Sequence, residues 1–368
     1  MSLWGRPELA EVTKDSTHLE YNDKVQGPAF LVNARTRPSE GLFLTATWSD
    51  PFVSFADDNL LAARLDTVPF RPGVVGKKAA ASLRGRHKKL APPPDALFTG
   101  YWDLVAGNGL AIAAQGRRFE DALTLPRSVE VRGPGSNVMV DGGADIEGNV
   151  TLDARLGPII VEGGASVESF SRIMGPCYIG PKCKILSAQI GGGTSIFESS
   201  KVGGQVDNSL ILPYTNKAHH GYVGDSYVGS WVNIGAGCTF SNLKNTYGNV
   251  RIIVGGKRID TGMVKLGPAI GDLSKLSIGS LVYAGRSIGV GSHVSGLASE
   301  DVPSFTFADS ASPKKVELLL ESVIETQRRM MERRGLTLSR NEEALIRGLF
   351  GATSTERRWA GVKKGKLG

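Results

Sequence analysis

The chain has 368 residues, 47 of them glycine, with 41% hydrophobic and 21% charged positions and a formal net charge of +7. That length suits roughly two or three domains, and the positive balance permits an anionic ligand, such as a phosphorylated substrate or cofactor, through field attraction. Zinc-finger spacing and an aromatic RNA-binding signature are missing, which argues against nucleic acid. Three cysteines, Cys177, Cys183 and Cys238, make no disulfide framework. Met1 to Lys14 lacks a signal-peptide core and no stretch reaches membrane-spanning length, so a reducing cytoplasm is the expected setting.

Residues 1–125 show no fixed period and read as a small α/β segment. Proline punctuation at Arg37-Pro38, Pro69 to Pro72 and Pro92 to Pro94 cuts them into short units. Phe30-Leu31-Val32 reads as a buried strand and Asn59 to Leu65 as a short helix. Asp95 to Leu110 carries a helical apolar stripe of Leu97, Trp102, Leu104 and Val105.

From about 126 to 303 an apolar residue returns every sixth position. The runs are Val161, Val167, Ile173, Ile179, Ile185; Ile190, Ile196, Val202; Val228, Ile234, Phe240; and Val264, Ile270, Leu276, Val282, Ile288, Val294. Gly often follows, as at Ile179-Gly180 and Ile234-Gly235. A period of six fits neither a helix of 3.6 residues per turn nor plain alternation. It fits a parallel β-helix, in which each unit forms one flat side of a triangular coil and the aliphatic residue points inward. In proteins built on this hexapeptide repeat the coil is left-handed, against the usual right-handed crossover. Regular coils are expected from near Val138 and Val140. Leu243 to Asp260 breaks the period and is expected to loop out. Cys177 and Cys183, one unit apart, should lie on adjacent sides of the coil.

Residues 304–368 change character. Lys314 to Arg334 has helical spacing through Val316, Leu319, Leu320, Val323 and Ile324, with Gly335 as its stop. Ser339 with Glu342 forms a capping box for a second helix. Lys363-Lys364-Gly365-Lys366 reads as a disordered tail.

One local constellation carries chemistry. It runs Asn216-Lys217-Ala218-His219-His220-Gly221-Tyr222-Val223-Gly224-Asp225, then Val232-Asn233-Ile234-Gly235-Ala236-Gly237, then Ser241-Asn242-Leu243-Lys244-Asn245. It resembles the acetyltransferase half of bacterial bifunctional N-acetylglucosamine-1-phosphate uridylyltransferase/glucosamine-1-phosphate acetyltransferase, with Tyr222 three residues after His219, Asn233 fourteen after it and Asn242 nine after Asn233. Gly203 to Ser209, Asp260-Thr261-Gly262 and Pro303-Ser304-Phe305 are similar to a sugar nucleotidyltransferase-like branch of that family. Val32-Asn33-Ala34-Arg35 looks like a remnant of the branch's N-terminal domain.

The resemblance implies that His219 is the catalytic base, with Asn233 positioning the substrate. Tyr222 becomes a sugar-phosphate contact and Asn242 a contact near the acetyl site. Lys217 and Lys244 are candidate partners of substrate phosphate, and Arg172 is the one arginine left of the family's phosphate motif. Acetyl-CoA is the implied co-substrate, with Lys265, Lys275 and Arg286 meeting its phosphates along the C-terminal coils. A homotrimer with active sites between neighbouring prisms is implied as well. Each residue has a plainer reading. His219 can be a corner histidine, Asn233 a member of a stacked asparagine ladder, Tyr222 core, Asp225 a corner turn, and both lysines surface. His220 is an alternative base. A shared zinc site is disfavoured, because of five histidines only the adjacent pair falls in the right region, and neighbours on a strand point opposite ways. The Gly-rich nucleotidyl motif is missing.

The sequence therefore reads as an acetyl-CoA-dependent acetyltransferase acting on a sugar phosphate or nucleotide sugar. The alternatives are a catalytically silent β-helix scaffold or a sugar-phosphate nucleotidyltransferase relative.

Overall fold

The computed structural model describes residues 2–3, 20–21, 29–33, 35–36, 51–68, 80–84, 87–92, 97–115, 121–312 and 314–365. The chain divides into two compact units, Met1–Gly100 with Ser339–Gly348, and Tyr101–Leu338 with Leu349–Gly368.

The first unit contains a four-stranded sheet ordered Ala29–Val32, Asn59–Leu65, Phe52–Ala56, Lys88–Leu90. Asn59–Leu65, expected as a helix, is a strand. Asp57-Asp58 turn the chain, with Asp57 at φ +50°, so that Asn59 returns antiparallel to Phe52–Ala56. Pairing on both sides then overrides the helical propensity of Leu60 to Leu65. Val53, Ala63, Leu65 and Leu83 form its buried core. Val32, expected to be buried, is exposed.

The second unit is a left-handed parallel β-helix whose strands stack on three faces. On the first face the inward column runs Ile146, Val167, Ile185, Val202, Lys217 in strict register, then Ile234, Leu276, Val294 and Ala308. The second face stacks Val131, Leu152, Ile173, Ile190, Val206, Val223, Phe240, Val282 and Ala298. The third stacks Val140, Val161, Ile179, Ile196, Ile211, Val228, Ile270 and Ile288. Apart from Val131, which is exposed at the first coil, and the inward Lys217, these columns meet in one continuous core, with Ala308 partly buried against it. Each fully buried Val, Leu or Ile contributes about 1.5–3 kcal/mol relative to exposure, so the repeat itself supplies the dominant stabilisation. The first coil strand, Glu130–Arg132, pairs with Thr151–Asp153 and precedes Val138–Val140 by one side of the coil. Val264, expected inside, is exposed; it lies on the return leg of the insertion.

Cys177 sits in a third-face strand and Cys183 at the next corner, both free and buried, with burial raising each thiol to about 12. The corner between the third and first faces repeats left-handed residues at Lys182, Ser199, Tyr214, Trp231 and Leu273, and the Tyr214 and Trp231 rings stack at 4.4 Å.

The insertion forms an antiparallel hairpin, Arg251–Val254 with Lys257–Asp260, as its broken period implied. Helix α1, Tyr101–Gln115, begins after Leu97 to Gly100, which were expected within it, and packs on third-face strands; the expected start at Asp95 lies outside the described residues. Its Asn108 donates to Gly193 O at 2.7 Å and accepts from Ser195 Oγ at 3.0 Å. Trp102 joins Val250, Ile252, Leu266 and Ala284 in a second small core between α1 and the hairpin.

At the C-terminal end, Val316–Glu317 is a strand on Thr306–Phe307 rather than helix, and α2 spans Leu320–Glu332. Gly335, at φ +70°, ends it, with Leu336 N–H bonded to Met331 O. Helix α3, Arg340–Ala352, opens with the expected capping box. Ser339 N–H donates to Glu342 at 2.8 Å and Glu342 N–H to Ser339 Oγ at 3.2 Å. In α4, Ser354–Trp359, buried Arg357 is held by Glu317 at 2.7 Å and lies over the Phe350 ring. Lys363–Lys364, read as tail, instead forms a strand on Val316–Glu317.

Candidate active site at a corner of the coil

Residues 216–224 pass from the first face to the second. Asn216–Lys217 is a first-face strand, Ala218 to Gly221 turn the corner, and Tyr222–Gly224 is a second-face strand. His219 and His220 are therefore at a corner, and both are exposed. Among the described residues neither imidazole has a hydrogen-bond or ion-pair partner. His220 Nε2 lies over Gly237 of the next coil, 3.4 Å from where a Cβ would sit there. Gly221 has φ +124°, and a Cβ on it would fall 2.1 Å from Cys238 O, so glycine is required to close this corner. A shallow groove beside the corner is lined by Gly204, Gln205, Gly221, Tyr222 and Thr239.

Lys217 is placed differently from its expected role. It occupies an inward position one rung from Val202 and is 1% exposed. Its ammonium donates to Gly203 O and to His219 O, each at 2.6 Å. Burial lowers it to about 8. A substrate phosphate cannot reach it. What the lysine does is tie the backbone of His219 to the preceding coil.

Tyr222 also departs from the plainer reading as core. Val223 takes the inward position and Tyr222 points outward, between Gln205 and Thr239. Its hydroxyl accepts from Asn242 Nδ2 at 3.0 Å. Burial first, and then the carboxylates of Asp207 and Asp225, push the phenol up to about 12. Asn242 spends its other amide hydrogen on Asp225 Oδ2 at 2.5 Å, while Asn208 donates to Asp225 Oδ1 at 2.6 Å. Gln205 donates to Asp207 at 2.7 Å. Tyr222 and Asn242 thus belong to one polar network at the end of the second face. Asp225, at φ +47°, holds that network and the corner together.

Asn233 lies on the other side of the histidine corner, on the first face. It accepts a hydrogen bond from Asn216 Nδ2 at 2.9 Å, and the two stack in register as a ladder. Within one chain the candidates therefore divide between two faces, with Asn233 on the first, Tyr222 and Asn242 on the second, and His219 between them. Lys244 begins the insertion two residues beyond Asn242, its Nζ beside Gly248.

Two cations expected on ligand phosphates are committed elsewhere. Lys275 turns its ammonium into Leu273 O at 2.6 Å and Trp231 O at 3.2 Å, and burial lowers it to about 7. Arg286 lies 3.9 Å from Asp301 and is largely covered. Lys265 is exposed. Arg172 lies three rungs from Tyr222 on the same outward ladder, and Asp153, which also binds Arg155, holds it at 3.2 Å. These hydrogen bonds keep the Asp153 carboxyl well below its usual range. His293 neighbours Lys275, and burial with that ammonium lowers it to about 4. Among the described residues no three His, Cys, Asp or Glu side chains gather as a metal site.

The residues that the motif reading left without roles are Gln205, Asp207 and Asn208. Their signal is a spacing of seventeen, since Gln205 stacks on Tyr222 and Tyr222 on Thr239, while Asn208 bonds Asp225 and Asp225 bonds Asn242.

No family model matches the chain. It is 36% identical over 140 residues to the bifunctional protein GlmU of Ralstonia pickettii, covering 34% of this chain and 30% of that protein. It is 33% identical over 151 residues to a bifunctional sugar-1-phosphate nucleotidylyltransferase/acetyltransferase of Sulfurisphaera tokodaii, covering 39% and 36%. The chain thus spans about a third of the length of these curated relatives. Among solved structures, the UDP-N-acetylglucosamine acyltransferase of Francisella novicida shares 15% identity, with 60% of this chain and 74% of that one covered, at a TM-score of 0.28. The resemblance read from the His219 to Asn242 constellation is thus met by curated sequences that pair a nucleotidyltransferase with an acetyltransferase.

Proposed function

We propose that the protein transfers an acetyl group from acetyl-CoA to an amine or hydroxyl of a sugar phosphate or nucleotide sugar. The observation that carries this reading is the exposed His219, unpartnered among the described residues, at a glycine-closed corner, flanked by Asn233 on one face and the Tyr222–Asn242 network on the other. An imidazole titrates in the right range to act as general base. His219 takes the proton as the acceptor's lone pair attacks the thioester carbonyl carbon. The resulting oxyanion is stabilised by a backbone N–H or an asparagine amide, and collapse expels the CoA thiolate, which recovers the proton. Lys217 positions the base by fixing its backbone.

The split of candidates between two faces supports a site completed by a neighbouring prism, and with it a homotrimer. Light scattering at micromolar concentration is expected to return three times the chain mass; a monomer contradicts the shared site. Single-turnover transfer from acetyl-CoA to a panel of amino-sugar phosphates and nucleotide sugars is expected to show at least one acetylated acceptor.

A silent scaffold is the second reading, favoured by the commitment of Lys275 and Arg286 to internal partners. Absence of any acetyl-CoA-induced melting shift, together with inactivity on every acceptor, selects it.

A further inference from the structure

The outward ladder of the first face brings like charges together. Lys184 and Lys201 occupy adjacent rungs in direct register, roughly 4.8 Å apart, with Ser166 before them and Asn216 after. The chain leaving α2 adds two more cations at the same place. Arg334 donates Nη1 to Ser199 O at 2.8 Å, two residues before Lys201, and Arg333 is its exposed neighbour. Among the described residues none of these four cations pairs with a carboxylate. Glu198, three residues before Lys201, instead meets the Tyr214 hydroxyl at 3.5 Å. Burial, and then Arg334, Lys184 and Arg333, hold the Lys201 ammonium below its usual range. Like charges in direct register destabilise a sheet, so an anion seated among them relieves repulsion that the fold otherwise carries.

We infer that Lys184, Lys201, Arg333 and Arg334 form a binding site for a phosphate or diphosphate group. Arginine supplies a planar fork for phosphate oxygens and lysine a mobile point charge. The place is apt for an acceptor substrate. Asn216 is the next rung after Lys201 and Asn233 the one after that, roughly 10 Å away, about the reach of a hexose and its phosphate ester. The second face is the opposite environment. Gln189 and Gln205 are uncharged, Asp207 sits beside Tyr222, and Arg172 is held on Asp153. A phosphate is repelled there and attracted at the first-face cluster. The ligand class rests on the acetyltransferase reading; the anion site rests on its own geometry.

Calorimetry on the full chain at low salt, with inorganic pyrophosphate as probe, tests this. Saturable binding is expected, and Lys201→Gln with Arg334→Gln should weaken it about tenfold or more. Lys257→Gln with Arg258→Gln, which removes equal charge from the exposed hairpin, should leave it unchanged. Lys201→Gln alone should melt at or above the parent temperature, because it removes repulsion, while still weakening binding. His219→Ala should keep the parent affinity for pyrophosphate, so loss of acetyl transfer and loss of this site are separable. The inference is overturned if the parent shows no saturable pyrophosphate binding, if the cluster variant binds like the parent, or if the hairpin variant loses as much.

Discussion

The first and second faces of the coil have nearly the same inside and very different outsides. Inward, both stack aliphatic residues rung upon rung. Outward, the first face reads Lys184, Lys201, Asn216, Asn233, Lys275, His293, while the second reads Arg172, Gln189, Gln205, Tyr222, Thr239, Leu281. Because side chains alternate across a strand, the inward set can hold the fold while the outward set is left to chemistry. The histidine corner lies where the two outward ladders meet. Lys217 is the exception, an ammonium in an aliphatic column, and the contacts it makes are with the corner itself.

The comparison breaks first if inward and outward positions prove energetically alike. Phe240→Ala, in the second-face column, should cost about 3–5 kcal/mol in denaturant unfolding. Thr239→Ala, its outward neighbour, should stay within about 0.5 kcal/mol. Similar costs for the two would deny the division.

Lys217 sharpens the exception. Its folded value, about 8, lies below the 10.5 of an ordinary lysine. Between those values the unfolded chain binds more protons, so stability rises with pH across that window and is flat below it. Lys217→Met should remove this slope, at most about 1.4 kcal/mol per pH unit for one proton. The readout is the difference between parent and variant from pH 8 to 9.5, which cancels other titrating groups. Parallel curves would place the lysine in water.

Asn233 tests whether the outward ladder is more than structure. Asn233→Ala removes the Asn216 hydrogen bond and should cost about 1 kcal/mol. A purely structural asparagine would show that loss with unchanged turnover; a positioning role also lowers kcat.

The six-residue period made the coil readable in the sequence, because burial on three faces imposes one apolar residue per side. It faltered between Val202 and Val228, where the true inward residues are Val206, Ile211, Lys217 and Val223. Short corners and one polar inward residue hid them, and Tyr222 fell on the false step. The candidate site was legible as motif spacing, but its partners were not. Asp207 and Asn208 reach Tyr222 and Asp225 only through stacking of coils seventeen residues apart, which a six-step reading does not register. The strand Asn59–Leu65 was missed because its pairing is tertiary and its composition favours helix.

The most direct test is single-turnover acetyl transfer by His219→Ala and His220→Ala, each with a melting curve. Removing a general base lowers the rate by about 10²–10⁴-fold. His219→Ala should show that loss with a melting temperature near the parent's, since its side chain is exposed and has no partner among the described residues, while His220→Ala stays close to parent rate. A dead His220→Ala beside an active His219→Ala, or two variants as fast as the parent, would contradict the account.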